Sequence, residues 1–149
     1  MSRVLIRKGT PNDRAPVEAL LDTSWRTHWA PHVLPASVER FERERPVQGY
    51  VETYIDQFVL AERDGVIAGL YHREEDMLHA IHVHVLFIGS GVGAALMDHA
   101  EAAGARRLDV RAFNDRARRF YERRGWRAVA ETEDSEMGTP VRTILMELD

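Results

Sequence analysis

Apolar residues recur at helical spacing in the first third of the chain and shift to short strand-like runs from Phe58 onward. Val4 to Arg7 reads as a short first strand. Thr10-Pro11-Asn12-Asp13 offers a capping Thr, a Pro at the first helical position and an acid at the third, so a helix should begin there. Val17, Leu20 and Leu21 continue it at helical spacing. Trp25 to Pro35 is aromatic, His-rich and bracketed by Pro31 and Pro35, which predicts a loop or broken helix. A second helical region spans Ala36 to Asp56, interrupted near Pro46 and Gly49.

FVLAERDGVIAGLYHR places two apolar runs around Asp64-Gly65, a strong hairpin signal. A third strand, Met77 to Val85, follows the acidic turn Glu74-Glu75-Asp76. A glycine-rich turn comes next, then a helix to about Ala103, stopped by Gly104. RRLDVRA is a strand, Asn114 caps a helix ending at Gly125, and Trp126 to Thr132 and Val141 to Leu148 are the last strands. The order is strand–helix–helix–strand–strand–strand–helix–strand–helix–strand–strand. Hairpins mixed with crossovers predict an α+β fold with a central mixed sheet.

Composition narrows the class. The 149 residues suit one domain, 1–149, with a single core. Apolar residues at 44% and charged residues at 30% describe a soluble globular chain. No apolar run nears the ~20 residues of a membrane span, and no signal peptide is expected from MSRVLIRKGTPND. The absence of Cys excludes disulfides, thiolate metal sites and a Cys nucleophile, and fits a cytoplasmic protein. A net charge of -4 weighs against nucleic acid as a partner. The Arg-rich stretch Arg106 to Arg124 reads mainly as a solvated face.

The chemistry begins at the turn. Gly89, Gly91 and Gly93 let the backbone approach a ligand closely, and the helix that follows points unpaired amides outward. That is an anion site, and the turn alone fits either a dinucleotide or acetyl-coenzyme A. A doubly wound dinucleotide fold, however, opens with its glycine turn, whereas some 80 residues of helices and hairpins precede this one. His82 and His84 could share a metal, but no third ligand is marked, so no metal is expected.

The downstream stretch NDRARRFYERRGW resembles the Gcn5-related N-acetyltransferase (GNAT) family. That family shows Asn, Ala three later, an aromatic–Tyr pair, then Gly and an aromatic. The chain supplies Asn114, Ala117, Phe120-Tyr121 and Gly125-Trp126. The family's L-x-V-x-P strand and Q/R-x-x-G-x-G/A turn correspond to Ile81 to Val85 and Ile88 to Gly93, with Val85 for the usual Pro and Ile88 for the usual Gln or Arg. The resemblance implies a mostly antiparallel, twisted GNAT sheet flanked by helices, and acetyl-CoA as co-substrate. It also implies direct acetyl transfer to a primary amine of a small molecule or peptide. The alternatives are an NAD(P)-binding oxidoreductase and a catalytically silent acyl-CoA-binding sensor or dimeric module; a homodimer is compatible with each enzyme reading.

By the same resemblance, Val83 and Val85 would pair with the pantetheine arm through their backbones, and Gly89, Ser90, Gly91, Val92, Gly93 and Ala94 would cradle the pyrophosphate. Ile88 would contribute its amide alone. Asn114 would touch the cofactor arm, and Tyr121 would sit near the sulfur as proton donor. His79 is the expected base, on a position of the same strand parity as Ile81 and Val83, with Glu75 and Asp76 as fallbacks through water. Arg118 or Arg119 could meet the 3′-phosphate. Trp25, Arg26, His28, Trp29 and His32 would form one wall of the acceptor site and the acidic segment Glu131 to Gly138 the other, either as a lure for cationic amines or as a solvated hairpin tip.

Overall fold

The computed structural model describes residues 3–149. Its strands are β1 (Leu5–Lys8), β2 (Phe58–Arg63), β3 (Val66–Glu74), β4 (Met77–Val83), β5 (Arg107–Arg111), β6 (Arg127–Glu136) and β7 (Thr139–Glu147). The helices are α1 (Arg14–His28), α2 (Pro35–Glu44), α3 (Pro46–Tyr54), α4 (Val92–Ala102) and α5 (Asp115–Arg123). All strands join one sheet in the order β1-β2-β3-β4-β5-β7-β6, antiparallel except for the β4–β5 pair. This is the α+β arrangement expected, with the second helical region divided in two where Arg45 takes a left-handed conformation before Pro46.

One core lies on each face of the sheet. Val17, Leu20 and Leu21 of α1 meet Val51 of α3 over Leu60 and Leu70. On the other face, Leu96, Met97 and Ala100 of α4 and Tyr121 of α5 cover Leu78, Leu108 and Met146. No helix among the described residues is long and apolar enough to cross a membrane.

The predicted start of the first helix is present as a single 3-10 turn, Pro11–Asp13, leading into α1. Asp13 accepts from the Thr10 amide at 2.9 Å and takes two bonds from the Arg7 guanidinium, at 2.9 and 2.8 Å. The Arg7 hydrogen bonds, helped by Thr10 and opposed by burial, hold its carboxyl at about 2. A carboxyl depressed on folding stabilises fully above its unfolded pKa and loses that contribution as pH falls through the folded value. Asp13→Asn is therefore expected to cost about 2 kcal/mol at pH 7. Urea titrations of the two proteins should converge as pH drops from about 4 toward 2; an undiminished gap at low pH would refute the assignment.

Three local expectations are corrected. Trp25 lies inside α1, which continues to His28 before a 3-10 turn at Ala30–His32, because its ring is buried and stacked on Phe41 at 3.9 Å. The acidic segment is largely strand: β6 extends to Glu136 and turns at Met137-Gly138. Its acids are tied by Arg residues of neighbouring strands, Glu131 to Arg142 and both Asp134 and Glu136 to Arg111. The third correction concerns β4, which ends at Val83 rather than Val85; His84 then caps a 3-10 turn, Val85–Phe87.

The site depends on an irregularity within β4. Leu78 pairs with Arg73 and Ala80 with His72, which leaves His79 as the extra residue of a bulge. A bulge bends its strand and reverses the side-chain alternation beyond it. β4 pairs with β5 only at Met77–Arg107 and Leu78–Leu108, and the two strands part immediately afterwards. A notch opens where they separate.

Candidate active site

A cavity of about 350 Å³ occupies the notch. Its walls come from Ile81, His82 and Val83 of β4, from the turn that follows, from α5 with the preceding Asn114, and from the end of α1. The turn is built for an anion. Gly89 and Gly91 have φ of +82° and +94°, a region closed to most side chains, and a Cβ on either would face open space. Gly91 is the N-cap of α4, and the first amides of that helix have no intrahelical acceptor. Arg63 from β2 steadies the turn by donating to the Ser90 carbonyl at 3.1 Å.

Helix α5 supplies the opposite wall. Asn114 Oδ1 accepts from the Ala117 amide at 3.3 Å, which sets the start of the helix, and Asn114 lines the cleft. Ala117 and Phe120 pack into the same wall, and the Phe120 ring approaches Gly93. Tyr121 is 7% exposed and wedged against Trp126, yet it lines the cavity, and its hydroxyl has no partner among the described residues. Burial pushes the phenol pKa well up, so the group keeps its proton. Arg116 and Arg123 stand two turns apart on the same face of α5, roughly 10 Å along the axis. No carboxylate lines the cavity among the described residues.

The remaining wall is polar and aromatic. His82 Nδ1 lies 2.8 Å from Ser24 Oγ, and the Trp29 ring is 5.6 Å from the imidazole. Burial, with a smaller contribution from His28, pushes His82 down to about 4. His28 is lowered too, first by burial and then by Arg116. Both rings are thus biased toward the neutral form.

Several expected residues share this cavity: Val83, Gly89, Gly91, Gly93, Ala94, Asn114 and Tyr121, together with Ile88. Val92 is fully buried in the core and can offer only its backbone, while Ser90 and Val85 do not line the cavity. His79 does not line it either. The bulge places its ring 5.1 Å from His72 and 3.9 Å from Glu74, in a separate groove beside Tyr50 and Tyr54. Of the two fallback carboxylates, Asp76 is held by Arg107 at 3.0 Å, and neither it nor Glu75 lines the cavity. Of the expected aromatic wall only His28 and Trp29 line the cavity; Trp25 is stacked on Phe41 and donates from Nε1 to Glu136 at 3.0 Å, Arg26 pairs with Asp22 and Glu42, and His32 stacks on Phe113. Arg118 is paired with Asp115, and the cations lining the cleft are Arg116 and Arg123. Ser24 and His82 were not expected at the site: Ser24 carries no motif, and His82 alternates away from Ile81 and Val83 toward α1, a wall that only tertiary packing creates.

Comparison with known proteins places these features in a family. The family described as "Acetyltransferase (GNAT) domain" matches residues 30–148. Among solved structures, apo YjaB from Escherichia coli superposes with a TM-score of 0.78 at 17% identity, covering 97% of each chain. A GCN5-related N-acetyltransferase from Rhodopseudomonas palustris gives 0.75 at 25% identity, covering 99% of this chain and 98% of its own. The PaiA N-acetyltransferase of Thermoplasma acidophilum, solved with coenzyme A, gives 0.71 at 17% identity, over 95% and 98%. No curated protein matches the chain. With a GNAT match across most of its length and a sheet that opens at the β4–β5 junction, the chain belongs to the GNAT acetyltransferase family and is an acyltransferase.

Proposed function

We propose that the protein moves an acetyl group directly from acetyl-CoA to a primary amine of a small molecule or peptide. The observation that carries this reading is the acid-free notch, which joins the Gly89–Gly91 turn and the α4 N-terminus to the Tyr121 hydroxyl. Open space above the two glycines and unpaired helix amides suit a pyrophosphate. Arg123 and Arg116 add positive charge to the cleft, and the bare strand edge of β4 beyond its last rung offers backbone groups to a pantetheine arm. Asn114 would hold that arm from α5. When bound, acetyl-CoA supplies an activated thioester. The protein contributes orientation, exclusion of water by the Phe120 and Trp29 walls, and a hydroxyl donor at Tyr121 for the departing sulfur.

Calorimetry with acetyl-CoA and with NADH tests the ligand class: binding of acetyl-CoA alone is expected, and NADH binding without acetyl-CoA binding would overturn the reading. Thiol release from acetyl-CoA is then measured with spermidine, kanamycin and a blocked lysyl peptide. Turnover with at least one primary amine is expected. Tight acetyl-CoA binding with no turnover across a broad amine panel would instead identify a silent acyl-CoA sensor.

A further inference from the structure

We infer that the acceptor amine gives up its proton to Nε2 of His82, and that Ser24 holds this imidazole in the tautomer that leaves Nε2 bare. The inference rests on the acetyltransferase reading of the same cleft. Its starting point is a polar pair, Ser24 buried and His82 half-buried, drawn from two elements that share no local sequence. Ser24, 4% exposed on α1, and His82 on β4 meet at 2.8 Å across the helix–sheet interface. This contact uses Nδ1. Nε2 has no partner among the described residues, and His82 lines the cavity.

Geometry separates the two candidate imidazoles on β4. The bulge at His79 turns that ring to the His72–Glu74 groove, outside the notch. The same bulge restores alternation one residue later, so Ile81 and Val83 pack toward the α4 side while His82 faces α1. A base there reaches an amine entering from the α1 side, and the thioester arm occupies the edge that β4 exposes. Among the described residues no carboxylate lines the cleft to compete for the role.

The tautomer matters because only a bare nitrogen can accept a proton. In the proposed state His82 Nδ1–H donates to Ser24 Oγ, and the Nε2 lone pair faces the amine. The amine nitrogen forms the new C–N bond, and the C–S bond breaks with its electron pair leaving on sulfur. The amine proton passes to Nε2 and then to solvent. The departing sulfur accepts a hydrogen bond from Tyr121 and takes its proton from solvent, so charge and atoms balance. A weak base suffices, because the N–H becomes much more acidic once nitrogen has bonded to the acyl carbon. The titratable and charged groups sharing the cleft with His82 are His28 from α1 and Arg116, Tyr121 and Arg123 from α5; β3 presents Leu70 opposite it. The imidazole stays neutral down to about 4, so the acid limb of the rate profile should follow the amine rather than His82.

The tautomer is read directly by nitrogen-15 NMR of the full chain, free and with acetyl-CoA, with His82 assigned by the signals missing in His82→Gln. A protonated Nδ1 and a bare Nε2 are expected, and an Nε2–H tautomer would overturn the inference. His82→Gln can still bond Ser24 but cannot take a proton. It should lower kcat roughly 10²-fold on whichever of spermidine, kanamycin or the lysyl peptide the wild type acetylates, with acetyl-CoA affinity unchanged. A kcat within about twofold of wild type would also reject the role, since general-base loss costs far more. Ser24→Ala should lower kcat with no change in KM for acetyl-CoA and mix the His82 tautomers, and Ser24→Thr should restore both. Failure of the wild type to bind acetyl-CoA would defeat the parent reading, a result distinct from the wrong tautomer in a protein that binds it.

Discussion

Tyr121→Phe is expected to lower turnover about 10²-fold while acetyl-CoA affinity stays nearly unchanged. The ring is held between Phe120, 5.6 Å away, and Trp126, 6.4 Å away, and is almost wholly buried, so Phe fills the same space. Only the hydroxyl is removed, and among the described residues that hydroxyl bonds to nothing in the protein. Stability should therefore change little. Its raised pKa sets the manner of its action: full proton transfer from so weak an acid to a thiolate is uphill, so the phenol acts by donating a hydrogen bond as charge develops on sulfur. An uncharged thioester sulfur accepts such a bond poorly, which is why binding should be spared and kcat reduced. Thiol release and calorimetry on the same preparation check both halves, and undiminished turnover would remove Tyr121 from the mechanism.

Gly69→Ala is expected to destabilise the protein by about 2–3 kcal/mol, equivalent to a loss of roughly 5–10 °C in Tm for a chain of this size. A Cβ at this position would lie 2.7 Å from the His82 carbonyl oxygen and 2.9 Å from Leu96 Cδ1, with Val92 Cγ1 at 3.2 Å. Side-chain atoms of Leu96 and Val92 could shift, but the carbonyl belongs to β4 and cannot move without its strand. Gly69 pairs with Val83, so any relief displaces the edge that borders the cleft. Acetyl-CoA affinity should fall together with Tm. A thermal scan within about 1 °C of wild type would show that the sheet absorbs the methyl group and would refute the predicted clash.

Features set by neighbouring residues were legible in the sequence. The Asp64-Gly65 hairpin, the Thr10–Asp13 helix start, the glycine turn and the Asn114 cap all appear where their local chemistry predicted. Misreadings arose where a distant partner decides. His79 left the face it was expected to share with Ile81 and Val83 because of a bulge that exists only relative to β3. The acids beyond Thr132 read as a hairpin tip, whereas Arg111 and Arg142, supplied by β5 and β7, tie them into cross-strand pairs. Trp25 looked like a loop residue because nothing nearby announces Phe41, sixteen positions later, as its stacking partner. Half of the cleft was visible for the same reason. The turn and α5 are local motifs, whereas Ser24 and His82 meet only through the packing of α1 on the sheet.

The two-rung junction between β4 and β5 makes the sheet a pair of leaves. One leaf is the meander β1 to β4, with α1 and α3 behind it; the other is the β5-β7-β6 ribbon. Besides those rungs, the Asp76 carbonyl clasps the amides of Arg106 and Arg107, and the core beneath α4 spans both leaves. A molecule seated in the notch would act as a keystone, touching the free margin of one leaf and, through α5, the other. Its occupancy would then stiffen the whole molecule about a hinge at Leu78 and Leu108, and amide exchange at that pair would report on a ligand that neither residue touches.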